Sequence, residues 1–188
     1  MTRLLTDSTS YFRLARFVRP LLGRGLGDPE FTLHVIAELD DEFAKSTRLV
    51  DKFYWVKEAE YVKNRSENRI GAEIDAFALE QTIQVMKHHK HARGLGVSKV
   101  DIVVLAISYQ LGLAVISDDA DVQEMAVDFD MPECMTSLDV LEWLYGEGVL
   151  SFDEVSATVT TWRLESDLPS HEIEFIQRFF ELFQEMPW

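Results

Sequence analysis

The chain has 188 residues, a length that suits one domain with an added helical region. Apolar residues make up 47% of it and 12 residues are Phe, which argues against an intrinsically disordered chain. The single cysteine, Cys134, excludes an internal disulfide and any zinc or iron–sulfur site built from several cysteines, and it fits a reducing compartment. The longest apolar run, Ile102–Ile107, is too short to cross a membrane, so we expect a cytoplasmic protein.

The net charge of −15 is unevenly distributed along the chain. Residues 1–99 carry 16 basic and 14 acidic side chains, whereas residues 100–188 carry 2 basic and 19 acidic ones. This balance argues against non-specific nucleic-acid binding, which needs a basic surface, but it is compatible with a nucleic-acid enzyme whose basic residues are local. Most of the C-terminal acids are expected to form a solvated face.

The first predicted unit is a strand over residues 3–6, which ends at Asp7 and leads into an amphipathic helix. The hydroxyl residues after Asp7 are typical of a helix N-terminus. Five arginines precede Gly27, and Asp7 is the one acid among them. Asp7 is therefore interpreted either as a turn or helix cap or as part of a functional site, and the local pattern leaves both open.

The middle of the chain is predicted to be helical. Residues 23–30 read as a glycine-rich loop, and helices are predicted over residues 31–44, 48–64 and 72–91. The helix at 31–44 carries four acids, and periodicity does not select a functional one among Glu38, Asp40, Asp41 and Glu42. Three histidines near the end of the third helix could suggest a metal site. Cations that complement the helix dipole, with Gly94 as the C-cap, are the favoured explanation.

Residues 98–121 hold the densest functional pattern. Ser98-x-x-Asp101 is a capping-box-like start for an apolar helix that ends before Gly112. A short apolar strand follows and stops at a serine and three acids, namely Ser117, Asp118, Asp119 and Asp121. In an open α/β sheet the carboxyl end of a strand opens into the ligand crevice. Carboxylates gathered there repel one another unless a cation, usually divalent, lies among them.

The remainder of the chain is predicted to be mainly helical. Beyond a short helix at 122–128 and a strand near 131–135, helices are expected at 138–145, 151–164 and from 169 onward. The first two are expected to be capped by Thr136-x-x-Asp139 and Ser151-x-x-Glu154. We predict a nuclease-like domain over residues 1–147 and a C-terminal helical appendage over residues 148–188.

The order of these features resembles the PIN domain family of metal-dependent ribonucleases, which includes the VapC-type toxins. The resemblance covers roughly residues 3–146. It rests on a strand ending in an acid, a helix bearing Glu38-Leu39, an aspartate opening an Ala-containing apolar helix, and a strand followed by Ser-x-Asp-x-Asp. It implies a three-layer α/β/α fold with a small parallel sheet. The long stretch at 48–97 and the helices after 146 depart from a small toxin.

The resemblance also implies a set of site residues. The catalytic acids would be Asp7, Glu38, Asp101 and Asp119, and the ligands of Mg²⁺ (or Mn²⁺) would be Asp7, Asp101, Asp119 and Asp121. Ser117 stands where the family has Thr, which makes Asp118 a spacer pointing elsewhere. Ser8, Thr9 and Ser117 would orient waters or ligand carboxylates. Arg13 and Arg16 are the first candidates for phosphate contacts.

The leading hypothesis is a metal-dependent endoribonuclease that cleaves single-stranded RNA and leaves 5′-phosphate and 3′-hydroxyl ends. Its setting would be the toxin of a type II toxin–antitoxin pair, with an antitoxin protein as partner and a homo-oligomeric assembly. The alternative is a catalytically silent PIN-like protein-interaction module. A phospho-receiver or phosphatase ranks last, because both need a second acid beside Asp7 and the chain has Ser-Thr-Ser there.

Overall fold

The computed structural model describes residues 2–27, 30–71 and 73–188, and these contain four strands and ten α-helices. The strands are β1 (Thr2–Thr6), β2 (Gly25–Leu26), β3 (Phe31–His34) and β4 (Ala114–Ile116). The helices are α1 (Ser8–Ala15), α2 (Glu38–Lys45), α3 (Thr47–Lys52), α4 (Ala59–Glu67), α5 (Ala76–Arg93), α6 (Lys99–Leu111), α7 (Ala120–Asp128), α8 (Ser137–Gly146), α9 (Phe152–Leu164) and α10 (Glu172–Phe183). A 3₁₀ helix, Tyr54–Lys57, separates α3 from α4. Within these described ranges no helix combines the length and the apolarity needed to span a bilayer.

The sheet has the strand order β2-β3-β1-β4. The central strand β1 runs parallel to both of its neighbours, with Leu4 opposite Leu33 on one side and opposite Ala114 on the other. The short strand β2 is antiparallel to β3. Because β1, β3 and β4 point the same way, the residues that follow all three strands meet at one edge of the sheet.

Helices cover both faces of the sheet. Neighbouring residues of a strand point to opposite faces, and Leu4 and Leu5 of β1 accordingly belong to two separate clusters of buried side chains. The Leu4 cluster includes residues of α1, α8, α9 and α10, and the Leu5 cluster includes residues of α5, α6 and α7. The structure therefore confirms the predicted three-layer α/β/α class.

The C-terminal helices share the core of the sheet domain. Phe175 and Phe179 of α10 are fully buried, in the same cluster as Leu4 of β1 and Phe12 of α1. Burying a Phe side chain stabilises a protein by roughly 1.5–3 kcal/mol, so these helices contribute to the stability of the whole fold. The boundary proposed at residue 147 stays a prediction, but the residues beyond it are packed against the body.

Two sequence predictions about the middle of the chain are wrong. The predicted helix over 31–44 begins only at Glu38, because residues 31–34 form β3 and pair with β1. Leu33 of β3 and Val35, just beyond it, are buried in the core around the sheet. The predicted continuous helix over 48–64 is divided into α3, the 3₁₀ helix and the start of α4. Apolar spacing did not distinguish a buried strand from a helix here.

Smaller differences concern the loop at 23–30 and the strand predicted at 131–135. Gly25 and Leu26 of that loop form β2, and residues 28 and 29 lie outside the described residues. Near 131–135, the structure has an isolated bridge between Met135 and Ile116. Residue 72, where a helix was predicted to begin, is also outside the described residues, and α5 starts at Ala76.

The predicted helix caps are confirmed. The structure contains full capping boxes at Ser98–Asp101, Thr136–Asp139 and Ser151–Glu154. Gly94 ends α5 in the left-handed conformation with φ of 72°, as expected for a glycine C-cap. These caps place the first turns of α6 and α8 beside the edge of the sheet where the strands end.

Candidate functional site

Asp7 lies at the carboxyl end of β1 and is buried, with only 3% of its surface exposed. It is the N-cap of α1, and its Oδ1 accepts a hydrogen bond from the backbone N–H of Ser10 at 2.7 Å. Burial raises the pKa of Asp7 to about 7, opposed by hydrogen bonds from Ser117 and Ser10 and assisted by the negative charges of Asp118 and Asp101. Both interpretations of Asp7, as a cap and as a site residue, are therefore compatible with the structure.

Ser117 connects the ends of β1 and β4. It is fully buried, and its backbone N–H donates to the carbonyl of Met135 at 2.9 Å, which extends the strand pairing beyond Ile116. Its Oγ accepts a hydrogen bond from the backbone N–H of Asp119 at 3.2 Å. Ser117 thus fixes the path of the chain just before the acids, and its orienting role stays a prediction.

Asp118 has more hydrogen-bond and ion-pair partners than the other acids of the site. The prediction that it is a spacer pointing away from the site is wrong. Its side chain is 5% exposed and forms an ion pair with Arg13. It also accepts hydrogen bonds from the backbone N–H of Ser137 at 2.8 Å and from the Ser137 hydroxyl at 2.5 Å. Ser137 opens α8, and the positive end of that helix favours a carboxylate. These partners hold the Asp118 side chain in the interior of the protein.

Asp119 and Asp101 face the same cavity from the first turns of two helices. Asp119 is exposed and caps α7, with its Oδ1 accepting from the backbone N–H of Asp121 at 2.8 Å. Asp101 is partly buried, and its Oδ2 accepts from the backbone N–H of Ser98 at 3.1 Å. Each carboxylate makes local capping contacts and also lines the cavity.

A small cavity of about 150 Å³ brings these acids together. Its lining residues come from four separate segments of the chain: Asp7, Thr9, Arg13, Asp101, Asp118, Asp119 and Pro169. A groove of about 710 Å³ adjoins it, shares Asp118, Asp119 and Pro169 with it, and continues along α7 and the start of α10. We call the smaller space the acidic cavity.

Two of the predicted acids lie outside the acidic cavity. Glu38 is exposed at the start of α2 and lines a separate groove of about 370 Å³ that also reaches Val100, the neighbour of Asp101. The Oδ2 of Asp121 accepts a hydrogen bond from the backbone N–H of Gly96 at 2.6 Å. The structure therefore assembles three of the five acids predicted as catalytic or metal-binding and adds Asp118.

The predicted basic residues are engaged by acids of the chain itself. Arg13 is 6% exposed and pairs with both Asp118 and Asp167, so its guanidinium already has two carboxylate partners, and its contact with phosphate stays a prediction. Arg16 Nη1 lies 2.5 Å from Glu165 Oε2. Sequence reasoning missed these pairings because the partners are 105 to 154 residues apart and have no local periodicity to connect them.

The other predicted supporting residues differ in position. Thr9 is exposed and lines the acidic cavity. Ser8 is buried, and its Oγ has no hydrogen-bond partner among the described residues. Thr9 is therefore the residue that could contact a ligand, whereas Ser8 points into the protein.

The donor set of the acidic cavity fits a hard divalent cation in its chemistry. Asp7, Asp101 and Asp119 provide carboxylate oxygens from three separate segments, and oxygen ligands are what Mg²⁺ and Mn²⁺ prefer. Asp7 is a buried acid whose pKa is raised, as expected where no cation compensates it. Over the described ranges, no three His, Cys, Asp or Glu side chains are close enough to hold a metal as they stand. Binding would therefore require the carboxylates to move closer together.

Comparisons with known proteins are sparse. No protein-family model matches the chain. No curated protein matches it either. The structure is similar to the crystal structure of FitAcB from Neisseria gonorrhoeae, with a TM-score of 0.47 and 10% sequence identity, over 71% of this chain and 97% of that chain. With so few identical residues, this similarity says nothing about activity, ligands or partners.

Proposed function

We propose that the chain is a metal-dependent endoribonuclease that hydrolyses phosphodiester bonds of RNA. The observation that carries the proposal is the convergence of Asp7, Asp101 and Asp119 on the acidic cavity, at the edge of the sheet where the parallel strands end. Each of these acids takes part in the cap of a different helix. Helix capping does not require the three carboxylates to face one cavity, so their convergence points to a shared ligand. The resemblance to PIN domain ribonucleases favours RNA as the substrate.

The surroundings of each residue indicate its role in the proposed reaction. Asp7, Asp101 and Asp119 would hold Mg²⁺ or Mn²⁺, and a bound divalent cation supplies charge neutralisation, a grip on the phosphate and activation of water. Ser117 would orient Asp119 through its contact with the Asp119 backbone. Asp118 would fix the guanidinium of Arg13, which keeps this cation from pairing with the ligand carboxylates. The adjoining groove is where the RNA strand would lie.

The test is cleavage of single-stranded RNA in the presence of Mg²⁺ or Mn²⁺. We expect Asp7→Asn and Asp101→Asn each to reduce the rate at least about 100-fold, because each removes a carboxylate charge from the cation site. Asp128→Asn, an acid of α7 outside the acidic cavity, is the matched control and should keep normal activity. Cleavage that persists in both site variants, or that is insensitive to EDTA, would reject the proposal.

A second candidate function is a catalytically silent interaction module. It is favoured by the lack of a ready-made three-ligand cluster within the described residues and by the position of Glu38 outside the acidic cavity. In that case the acids would serve only as helix caps and ion-pair partners. Soluble, folded protein that neither cleaves RNA nor binds Mn²⁺ in a titration calorimeter would support this function over the nuclease.

The biological setting proposed for the nuclease is that of a toxin. Expression should then arrest growth, and co-expression of a small neighbouring protein should relieve the arrest by forming a complex with this chain. Gel filtration of the purified protein tests the proposed homo-oligomer. A nuclease whose expression leaves growth unchanged would reject the toxin role and keep the enzymatic one.

A further inference from the structure

A group of four ion-paired side chains lies next to the acidic cavity. Lys52 Nζ is 2.9 Å from Asp167 Oδ2 and 3.4 Å from Glu165 Oε2, and Arg16 pairs with the same oxygen of Glu165 at 2.5 Å. All four side chains remain between 26% and 33% exposed, so solvent reaches them. We call this group the charge clamp.

The charge clamp borders the acidic cavity through two contacts. Thr9 lines the acidic cavity and also lines a small recess with Lys52 and Asp167. Pro169, two residues beyond Asp167, lines the acidic cavity itself. The segment from Glu165 to Pro169 therefore connects the clamp cations with the acids of the proposed metal site.

The two acids of the charge clamp occupy a place that is unfavourable on local grounds. Glu165 is the C-cap of α9, and Asp167 follows it, so both negative charges lie at the negative end of a helix. Between them Ser166 takes the left-handed conformation with φ of 54°, which is uncommon for a residue other than glycine. Their pairing with Arg16 and Lys52 offsets this unfavourable position.

The charges of the clamp balance. Arg16 and Lys52 carry two positive charges, and Glu165 and Asp167 carry two negative ones, so the pair of cations presents no net attraction to an anionic ligand. Arg13 is not available either, because it is buried between Asp118 and Asp167. Guanidinium and ammonium groups bind phosphate oxygens as readily as carboxylate oxygens. A carboxylate attached to the same chain competes with a free phosphate at a high effective concentration.

We propose that Arg16 and Lys52 form a binding site for backbone phosphates of the RNA strand, and that Glu165 and Asp167 hold this site closed. The proposal rests on the proposed function for the identity of the ligand. The C-terminal segment thereby acts as an internal substitute for the substrate's phosphates. Displacement of Glu165 and Asp167 would expose two cations beside the scissile position and increase the affinity for RNA.

The experiment measures RNA binding with the complete chain. A short fluorescein-labelled single-stranded RNA is titrated with protein in EDTA, which prevents metal-dependent cleavage, and binding is followed by fluorescence anisotropy. For the Glu165→Gln/Asp167→Asn variant we expect affinity to rise about 10-fold at about 50 mM NaCl, and the slope of log affinity against log salt to steepen by about 1.4, as for two added phosphate contacts.

Two control variants separate this effect from a general loss of negative charge. Glu67→Gln/Glu73→Gln also neutralises two ion-paired acids, both outside the acidic cavity and the adjoining groove, and should leave the affinity unchanged. Adding Arg16→Gln and Lys52→Gln to the first variant should remove the gain, because the exposed cations are then absent. Thermal unfolding of each variant verifies that it is folded; a folded Glu165→Gln single variant should show a smaller gain and provides the test if the double variant does not fold.

The possible outcomes separate this proposal from the nuclease function. Unchanged affinity in the Glu165→Gln/Asp167→Asn variant, an equal gain in the Glu67→Gln/Glu73→Gln control, or no RNA binding by any variant would each overturn the closed phosphate site. A gain in binding by a protein that never cleaves RNA would reject the nuclease and leave the site in place. Cleavage by the wild-type protein with no gain in the variant would reject the site alone.

Discussion

The ends of β1 and β4 lie side by side, and each is followed by a buried aspartate with a different set of partners. Asp118 has a cation, Arg13, and two hydrogen bonds from Ser137 at the start of α8. Asp7 accepts hydrogen bonds but has no ion pair within the described parts of the chain, and its pKa is raised to about 7. Burial alone therefore does not define the role of an acid. The acid with a cation stabilises the fold, and the acid without one is the candidate for binding a cation from solution.

The largest effect is expected from Asp118→Asn. This change leaves the buried guanidinium of Arg13 without its main partner, and breaking a buried ion pair in this way costs about 3–5 kcal/mol. Urea denaturation measures the loss in free energy of unfolding. Asp119→Asn is the matched control and should cost less than about 1 kcal/mol, because asparagine also caps helices. Equal losses in the two variants would show that the neighbouring acids are not different.

Asp7→Asn should increase the stability of the metal-free protein, whereas Asp118→Asn should reduce it. Folded Asp7 keeps its proton up to about pH 7, whereas the unfolded chain releases it near 3.8, so the folded state binds more protons between these values. The free energy of unfolding of the wild type therefore falls as the pH rises through this window. Asparagine keeps the cap and has no charge, so at pH 8 the variant should be more stable by on the order of 2–4 kcal/mol.

The measurement is urea denaturation at several pH values between 4 and about 8 in EDTA. The gain of Asp7→Asn over the wild type should grow with pH and be smallest near pH 4. A variant that is less stable than the wild type at pH 8 would show that the Asp7 carboxylate is compensated after all. The contrast between the ends of β1 and β4 would then disappear.

Addition of Mg²⁺ should give Asp7 the compensating cation that Asp118 already has in Arg13. At a concentration ten times its Kd, a ligand of the folded state adds about 1.4 kcal/mol, which corresponds to a rise in Tm of about 3–6 °C for a chain of this size. Differential scanning calorimetry should show this rise for the wild type and not for Asp7→Asn. Asp121→Asn should retain the rise, because Asp121 lies outside the acidic cavity. Loss of the rise in Asp121→Asn would favour the ligand set predicted from sequence, which includes Asp121.

The smallest effect concerns Cys134, close to both strand ends. Burial, together with the negative charges of Asp7 and Glu133, raises the pKa of its thiol to about 11. Removing the charge of Asp7 with Asn should therefore increase the thiolate fraction and accelerate alkylation by iodoacetamide about 2- to 5-fold at pH 8.5. Glu133→Gln, which removes the other charge, is the control and should act in the same direction. An unchanged rate in Asp7→Asn would indicate that Asp7 is not charged at that pH.

The sequence by itself determined the features that depend on neighbouring residues. The capping boxes at Ser98 and Thr136 are formed, because their hydrogen bonds join residues three positions apart. Asp7 and Asp119 each follow an apolar run, and the resemblance to PIN domains implied that they meet at one edge of a parallel sheet, where the structure has them. The α/β class was implied by the resemblance to the PIN family, which rests on the order of these elements.

Only the tertiary structure decided which way the side chains at these strand ends point. Asp118 turns inward because Arg13 and Ser137, over 100 and 19 residues away, supply a buried cation and a helix N-terminus. Residues 31–34 form a strand because β1 offers them hydrogen-bond partners, although their apolar spacing also suits a helix. The charge clamp at Lys52 and Asp167 likewise joins segments 115 residues apart. Such pairings depend on the approach of distant segments, which local periodicity does not contain.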